Sequence, residues 1–145
     1  MVFNGFTIIE LLIVLVVIGI LGSLTYPCYV DYFVRARRLE GQNALFVLAN
    51  QLEQYYTLHN TYQKATIGGA TAVNINIGSN YSTGHWYKLI INQQTENFFA
   101  IQAVPQKSQG ANDRLCQTLT FNSLGNKNIT AGPAGVPTGN AQRCW

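Results

Sequence analysis

Between Glu10 and Asp31 the chain carries no charged side chain, and that interval sets most of what it can fold into. Its first part, Leu11 to Leu24, consists of Leu, Ile and Val apart from Gly19, Gly22 and Ser23. A helix rises about 1.5 Å per residue, so Leu11–Val30 is long enough for roughly 30 Å, one hydrocarbon thickness. The aliphatic side chains contribute on the order of 3–7 kcal/mol toward insertion. A carboxylate costs about 2.5–3.5 kcal/mol at the bilayer centre and less near its edge, where Glu10 falls. Insertion therefore wins, but nothing in the lipid explains why Glu10 is there. A cleaved secretory signal would want a basic start and a small-x-small site after the apolar core. Here the run continues into the bulky Tyr26-Pro27-Cys28-Tyr29. The residues alone leave two readings open, a plain anchor and a specialised N-terminal device.

After Asp31 the pattern becomes amphipathic. Leu45, Leu48, Leu52 and Tyr55 or Tyr56 recur at helical spacing, with Glu40, Gln42, Asn50, Gln51 and Glu53 between them. No proline falls between Val30 and Tyr62, so one helix from about Phe6 to His59 is expected, weakened at Gly19, Gly22 and Pro27. Residues 62–84 read as a connecting loop, with Val73–Ile77 alternating as a short edge strand would. Strands are expected at Trp86–Ile91, Phe98–Val104, Arg114–Phe121 and Lys127–Thr130, with a turn at Ser123-Leu124-Gly125-Asn126. Ala131–Gln142 reads as a Gly/Pro-rich loop. The expected fold is α+β: a long N-terminal helix packed on a four-stranded antiparallel sheet.

A chain of 145 residues with one such helix has room for a single small domain. Charged residues make up only 10%, well under the usual quarter, and Asn, Gln, Ser, Thr and Gly take their place. Beyond residue 60 the basic side chains are Lys64, Lys88, Lys107, Arg114, Lys127 and Arg143, against Glu96 and Asp113. These six are the candidate nucleic-acid contacts, although charges dispersed in sequence more often form a solvated surface. Arg35, Arg37 and Arg38 form the densest cluster, placed to touch anionic lipid or a neighbouring chain. Cys116 and Cys144 are either two buried thiols or a bridge worth about 3.5 kcal/mol in the chain-entropy model. Cys28 is left over as a small apolar residue. His59 and His85 fall in different elements without a carboxylate or nucleophile partner. No Gly-rich phosphate loop or Cys/His metal array is present in the sequence. No catalytic site, metal or cofactor is expected.

The stretch GFTIIELLIVLVVIGIL resembles the N-terminal motif of type IV pilins. The following YPCYVDYFVRARRLEGQNAL resembles the stalk of minor pilins, and the Cys144-Trp145 ending resembles that of one minor-pilin group. The resemblance implies a precursor with a leader at residues 1–5, cut after Gly5 by a prepilin peptidase and N-methylated at Phe6. Residues 6–30 would be the transmembrane and assembly half of the helix and 31–61 its amphipathic half. Residues 62–84 would connect to a sheet and disulfide-bounded region at 85–145. It further implies that Glu10 meets the Phe6 amine of a neighbouring subunit and that Gly19 and Pro27 loosen the helix in the filament. It also supports the Cys116–Cys144 bridge. The implied partners are other pilin subunits, the prepilin peptidase and the inner membrane, with the head on the periplasmic and then the extracellular side. Some minor pilins of this group bind DNA during natural transformation, and pseudopilins of type II secretion share the same N-terminus. Family leaders usually carry Lys or Arg, whereas Met1-Val2-Phe3-Asn4 has none; a start upstream of Met1 is the expectation.

Overall fold

The computed structural model describes residues 7–69 and 74–145, without the side chains of residues 24–28. The chain divides into two compact units, one ending at Phe33 and one spanning Val34–Trp145. A single helix, α1 (Ile8–His59), contributes to both.

The second unit is built on the stripe that the sequence spaces at helical intervals. Leu45, Leu48 and Leu52 are fully buried and Tyr55 nearly so. They face an antiparallel sheet of β3 (Tyr87–Gln94), β4 (Phe99–Pro105), β5 (Thr118–Asn122) and β6 (Lys127–Thr130), in the spatial order β3-β4-β5-β6. Strand β4 shows the period-two logic most clearly, burying Phe99, Ile101, Ala103 and Pro105 while the residues between are half-buried. Tyr87 and Leu89 from β3 and Leu119 from β5 complete the core. A bulge between Ile91 and Gln93 in β3 shifts the register against β4. In the β5–β6 turn, Gly125 adopts φ +78°, a conformation that costs glycine nothing. There the Asn122 carboxamide oxygen accepts from the amides of Leu124 and Asn126.

The connection at 62–84 is more ordered than its composition suggests. It holds β1 (Ala65–Ile67) and β2 (Ile75–Gly78), paired in parallel as a separate two-stranded sheet. The expected edge strand is β2; Val73 lies outside the described residues. Ala65 is buried in the main core, and the Gln94 side chain donates to the carbonyls of Tyr62 and Ala65. The expected third strand begins late. Residues before it form α2 (Lys107–Asn112) and a turn in which Gln117 takes φ +48°, so pairing starts only at Thr118. The C-terminal loop ends in a four-residue helix, α3 (Ala141–Cys144). Its cap, Asn140, accepts from the Arg143 amide through its side chain.

At Gly41, α1 lies close against β3. A Cβ built there would lie 2.8–2.9 Å from three ring atoms of Tyr87, a side chain that is itself fully buried. Helix propensity alone would make Gly41→Ala stabilising by about 1 kcal/mol. Overpacking against an immobile ring costs about 1–3 kcal/mol, so the net outcome expected is a destabilised head. Chemical denaturation of the variant checks the sign.

Candidate assembly and binding surfaces

The described part of the first unit is helix with little to cover it. Ile8 through Leu21 are exposed on every side, the large apolar side chains ranging from 48% to 83% accessible. Thr7 precedes the helix, and its hydroxyl accepts from the Glu10 amide at 3.4 Å, the geometry of a capping residue and its third helical position. Glu10 is also the one acid of the first turn, where the helix dipole favours negative charge. These local roles suit a carboxylate at this place but leave the side chain exposed. A Cβ at Gly19 or Gly22 would meet nothing within 4 Å, so no contact described within the chain requires glycine there. Gly5 and Phe6, and the side chain of Pro27, lie outside the described residues. Among the described residues no helix is long and apolar enough to cross a membrane.

In the head, α1 turns its basic side chains to different tasks. Arg38 is buried and holds the fully buried Asp113 in a two-pronged pair, Nη2 to Oδ1 at 2.7 Å and Nε to Oδ2 at 3.0 Å. The Cys116 amide and the Tyr87 hydroxyl also donate to Asp113. Burial pushes the Tyr87 hydroxyl well above the usual phenol range, so it stays a neutral donor. The Gln109 amide nitrogen lies within bonding distance of Val34 O, Tyr87 Oη and Asp113 Oδ2, while its Oε1 has no partner. Tyr62, hydrogen-bonded to the Glu53 carboxylate, is pushed up to about 12, first by burial and then by that carboxylate.

Arg37 instead reaches the surface. Its guanidinium lies 3.6 Å from the centre of the Trp86 ring, and its Nη1 donates to Ser108 Oγ at 3.2 Å. Lys107 Nζ sits 5.5 Å from the same ring. At the other edge of the sheet Lys127 Nζ lies 5.1 Å from the Phe46 ring and 5.4 Å from Trp145. Phe46, Phe121 and Trp145 pack edge to face or tilted, and the Trp145 indole donates to Asn128 O. Of the six candidate nucleic-acid contacts, the structure therefore brings Lys107 and Lys127 each onto a tryptophan. Arg143 lies on α3, two residues before Trp145. Lys64 is in a turn at φ +70°, Lys88 is exposed on β3, and Arg114 follows α2, its carbonyl accepting from Thr138. His59 packs at a tilt against Tyr55 and His85 against Tyr81. Cys116 and Cys144 are joined in a disulfide.

Residues 27–120 match the family model described as type IV minor pilin ComP, DNA uptake sequence receptor. The chain belongs to this family of type IV minor pilins. Residues 2–26 match the prokaryotic N-terminal methylation motif. The pilin is 32% identical over 73 residues to the fimbrial protein EcpC of Eikenella corrodens, covering 50% of this chain and 48% of that one. It is 32% identical over 78 residues to the type IV major pilin protein PilE of Neisseria gonorrhoeae, covering 54% and 47%. The chain spans about half the length of these curated relatives. The crystal structure of the Neisseria meningitidis non-core minor pilin PilV superposes with a TM-score of 0.52 at 18% identity, covering 74% of this chain and 97% of that one. That likeness concerns the fold.

Proposed function

We propose that this pilin is made as a precursor, cut after Gly5 by a prepilin peptidase and methylated on Phe6. It is stored in the inner membrane and then polymerised by burying its N-terminal helix among the helices of neighbouring subunits. It catalyses no reaction. The observation that carries this reading is the bare apolar helix: Ile8 through Ile20 are exposed, with no covering element among the described residues of their unit. Such a surface is stable in lipid or packed against other helices. Glu10 tolerates the first setting near the interface. In the second it needs a cation, which the free amine of a neighbouring Phe6 supplies after cleavage.

Intact-mass and N-terminal analysis of the protein purified from membranes tests this. Loss of Met1–Gly5 with one added methyl on Phe6 is expected, and an uncut chain would defeat the processing step. For Glu10→Ala, membrane association should persist while incorporation into filaments falls at least tenfold. Unchanged incorporation would show that the charge pair is dispensable.

A second reading, a receptor for duplex DNA, is favoured by the family match over residues 27–120 and by the placing of Lys127 against Trp145. Phosphate contacts by Lys127 and Arg143 would make retention of duplex DNA fall steeply with salt. The double variant Lys127→Glu with Arg143→Glu should weaken binding across sequences and flatten the salt slope by about two. Retention insensitive to salt, or none, removes this reading.

A further inference from the structure

We propose that the Arg37–Trp86–Lys107 corner of the head is a docking surface for anionic lipid headgroups, which holds the stored subunit against its membrane. The proposal rests on the membrane-stored state argued above.

Three observations within the head carry it. The Arg37 guanidinium, stacked on Trp86 and fixed to Ser108 Oγ, and the Lys107 ammonium gather around one half-buried indole. The pieces come from separate parts of the chain, the helix, the start of β3 and the start of α2. The backbone is also built toward this placement. The Gln106 amide donates to the Trp86 carbonyl at 2.8 Å. His85 and Lys107, which flank the indole from the two segments, both take left-handed φ values of +57° and +53°. Non-glycine residues adopt that conformation at some cost, and such residues concentrate at sites where the surroundings impose it.

His85 is exposed, Arg35 lies half a turn before Arg37 on α1 and is exposed, and Glu40 accepts from the Gly84 amide at 2.6 Å. The corner thus gathers the Arg37 and Lys107 cations around one tryptophan, and the Glu40 carboxylate is engaged by the Gly84 backbone.

Its place in the sequence selects the partner. Arg35 and Arg37 follow Val30, the end of the uncharged run, by five and seven residues, with Tyr32 between and Tyr26 and Tyr29 just before Val30. Aromatic side chains followed by basic ones, next to an apolar span, is the composition of a membrane–water boundary. Basic residues close to an anionic membrane surface each strengthen attachment roughly fivefold. Arg37 and Lys107 together reach about twenty-five-fold. A duplex tracked along its phosphates would call for a longer stripe of charge, whereas this corner is compact.

The test uses the full chain with Trp145→Phe, which leaves Trp86 as the only tryptophan, reconstituted singly in lipid nanodiscs. The discs contain either phosphatidylcholine alone or a mixture rich in phosphatidylglycerol, with lipids brominated near the headgroup as quenchers. Quenching of Trp86 at least twofold greater in the anionic discs is expected. It should be relieved by salt and by Lys107→Glu, and partly by Lys107→Gln, both substitutions at an exposed position. Equal quenching in the two kinds of disc, in a chain that resists extraction from them, overturns the docking surface and leaves the membrane reading intact. A chain that does not insert into either disc overturns both. A Trp86 response to added duplex DNA with none to anionic lipid would assign the corner to nucleic acid and overturn the lipid assignment.

Discussion

Arg38→Met should lower the stability of the head by about 3–5 kcal/mol. The reason is what remains behind. Asp113 is fully buried, and its carboxylate is paired with one cation while neutral donors from Cys116, Tyr87 and Gln109 occupy its other directions. Those donors satisfy hydrogen bonds but supply no charge. Removing the guanidinium leaves a desolvated anion, and the high-lying Tyr87 phenol adds nothing but a neutral O–H. Urea unfolding followed by tryptophan fluorescence checks the size of the loss. The double variant Arg38→Met with Asp113→Leu separates charge from packing. Replacing both partners by apolar groups is often close to neutral, but here the Cys116, Tyr87 and Gln109 donors lose their acceptor, so the double variant should recover only part of what the single one loses. A single variant within 1 kcal/mol of the parent would mean that water reaches Asp113 in the folded head.

This pair also shows where the sequence stops being legible. The recurrence of Leu45, Leu48, Leu52 and Tyr55 reports a buried helix face because the period is local, and β4 is read for the same reason from its alternation. Arg38 and Asp113 stand 75 residues apart, and nothing local distinguishes Arg38 from Arg35 or Arg37. One of the three is buried in an ion pair, one is stacked on an indole and one is exposed. Their rotation about the helix decides which, and that depends on where α2 arrives. Helix α2 was itself hidden, since Gly110 lies inside it and Lys107 enters it with a left-handed φ. Gly41 is the counterpart among small residues. Gly19 and Gly22 draw the eye because they interrupt an apolar run, yet they touch nothing described in the chain, while Gly41 lies against Tyr87. The candidate surfaces divide in the same way. The apolar helix and its glutamate are a continuous motif, so they are readable, along with their family. The cation–tryptophan corners join residues from separate elements, and only the fold shows which lysine meets which ring.

The second large effect concerns the C-terminal tail. Substituting Cys116 and Cys144 together by serine should lower stability by about 3.5 kcal/mol, the chain-entropy value for a loop of this size, within a usual span of about 2–5 kcal/mol for small exported domains. The loss should also have a place. Helix α3 has only four residues, far below the length at which a helix holds itself. Without the bridge it depends on the Gln42 side chain donating to the Cys144 carbonyl at 2.7 Å and on Trp145 seated against Phe46 and Phe121. Residues 131–140, rich in glycine and proline, contribute turns, a bridge between Gly132 and Gly135, and hydrogen bonds from Ala134, Thr138 and Gly139 to the segment that carries Cys116. Proteolysis should therefore cut this loop in the variant before the sheet unfolds. Trp145 emission should shift to longer wavelength at denaturant concentrations where Trp86 emission is still native. Because Lys127 is positioned over Trp145 and Phe46, the same opening would scatter the basic edge invoked for DNA and leave the Arg37–Trp86–Lys107 corner in place. Simultaneous loss of both tryptophan signals would mean instead that the bridge secures the whole head as one cooperative unit.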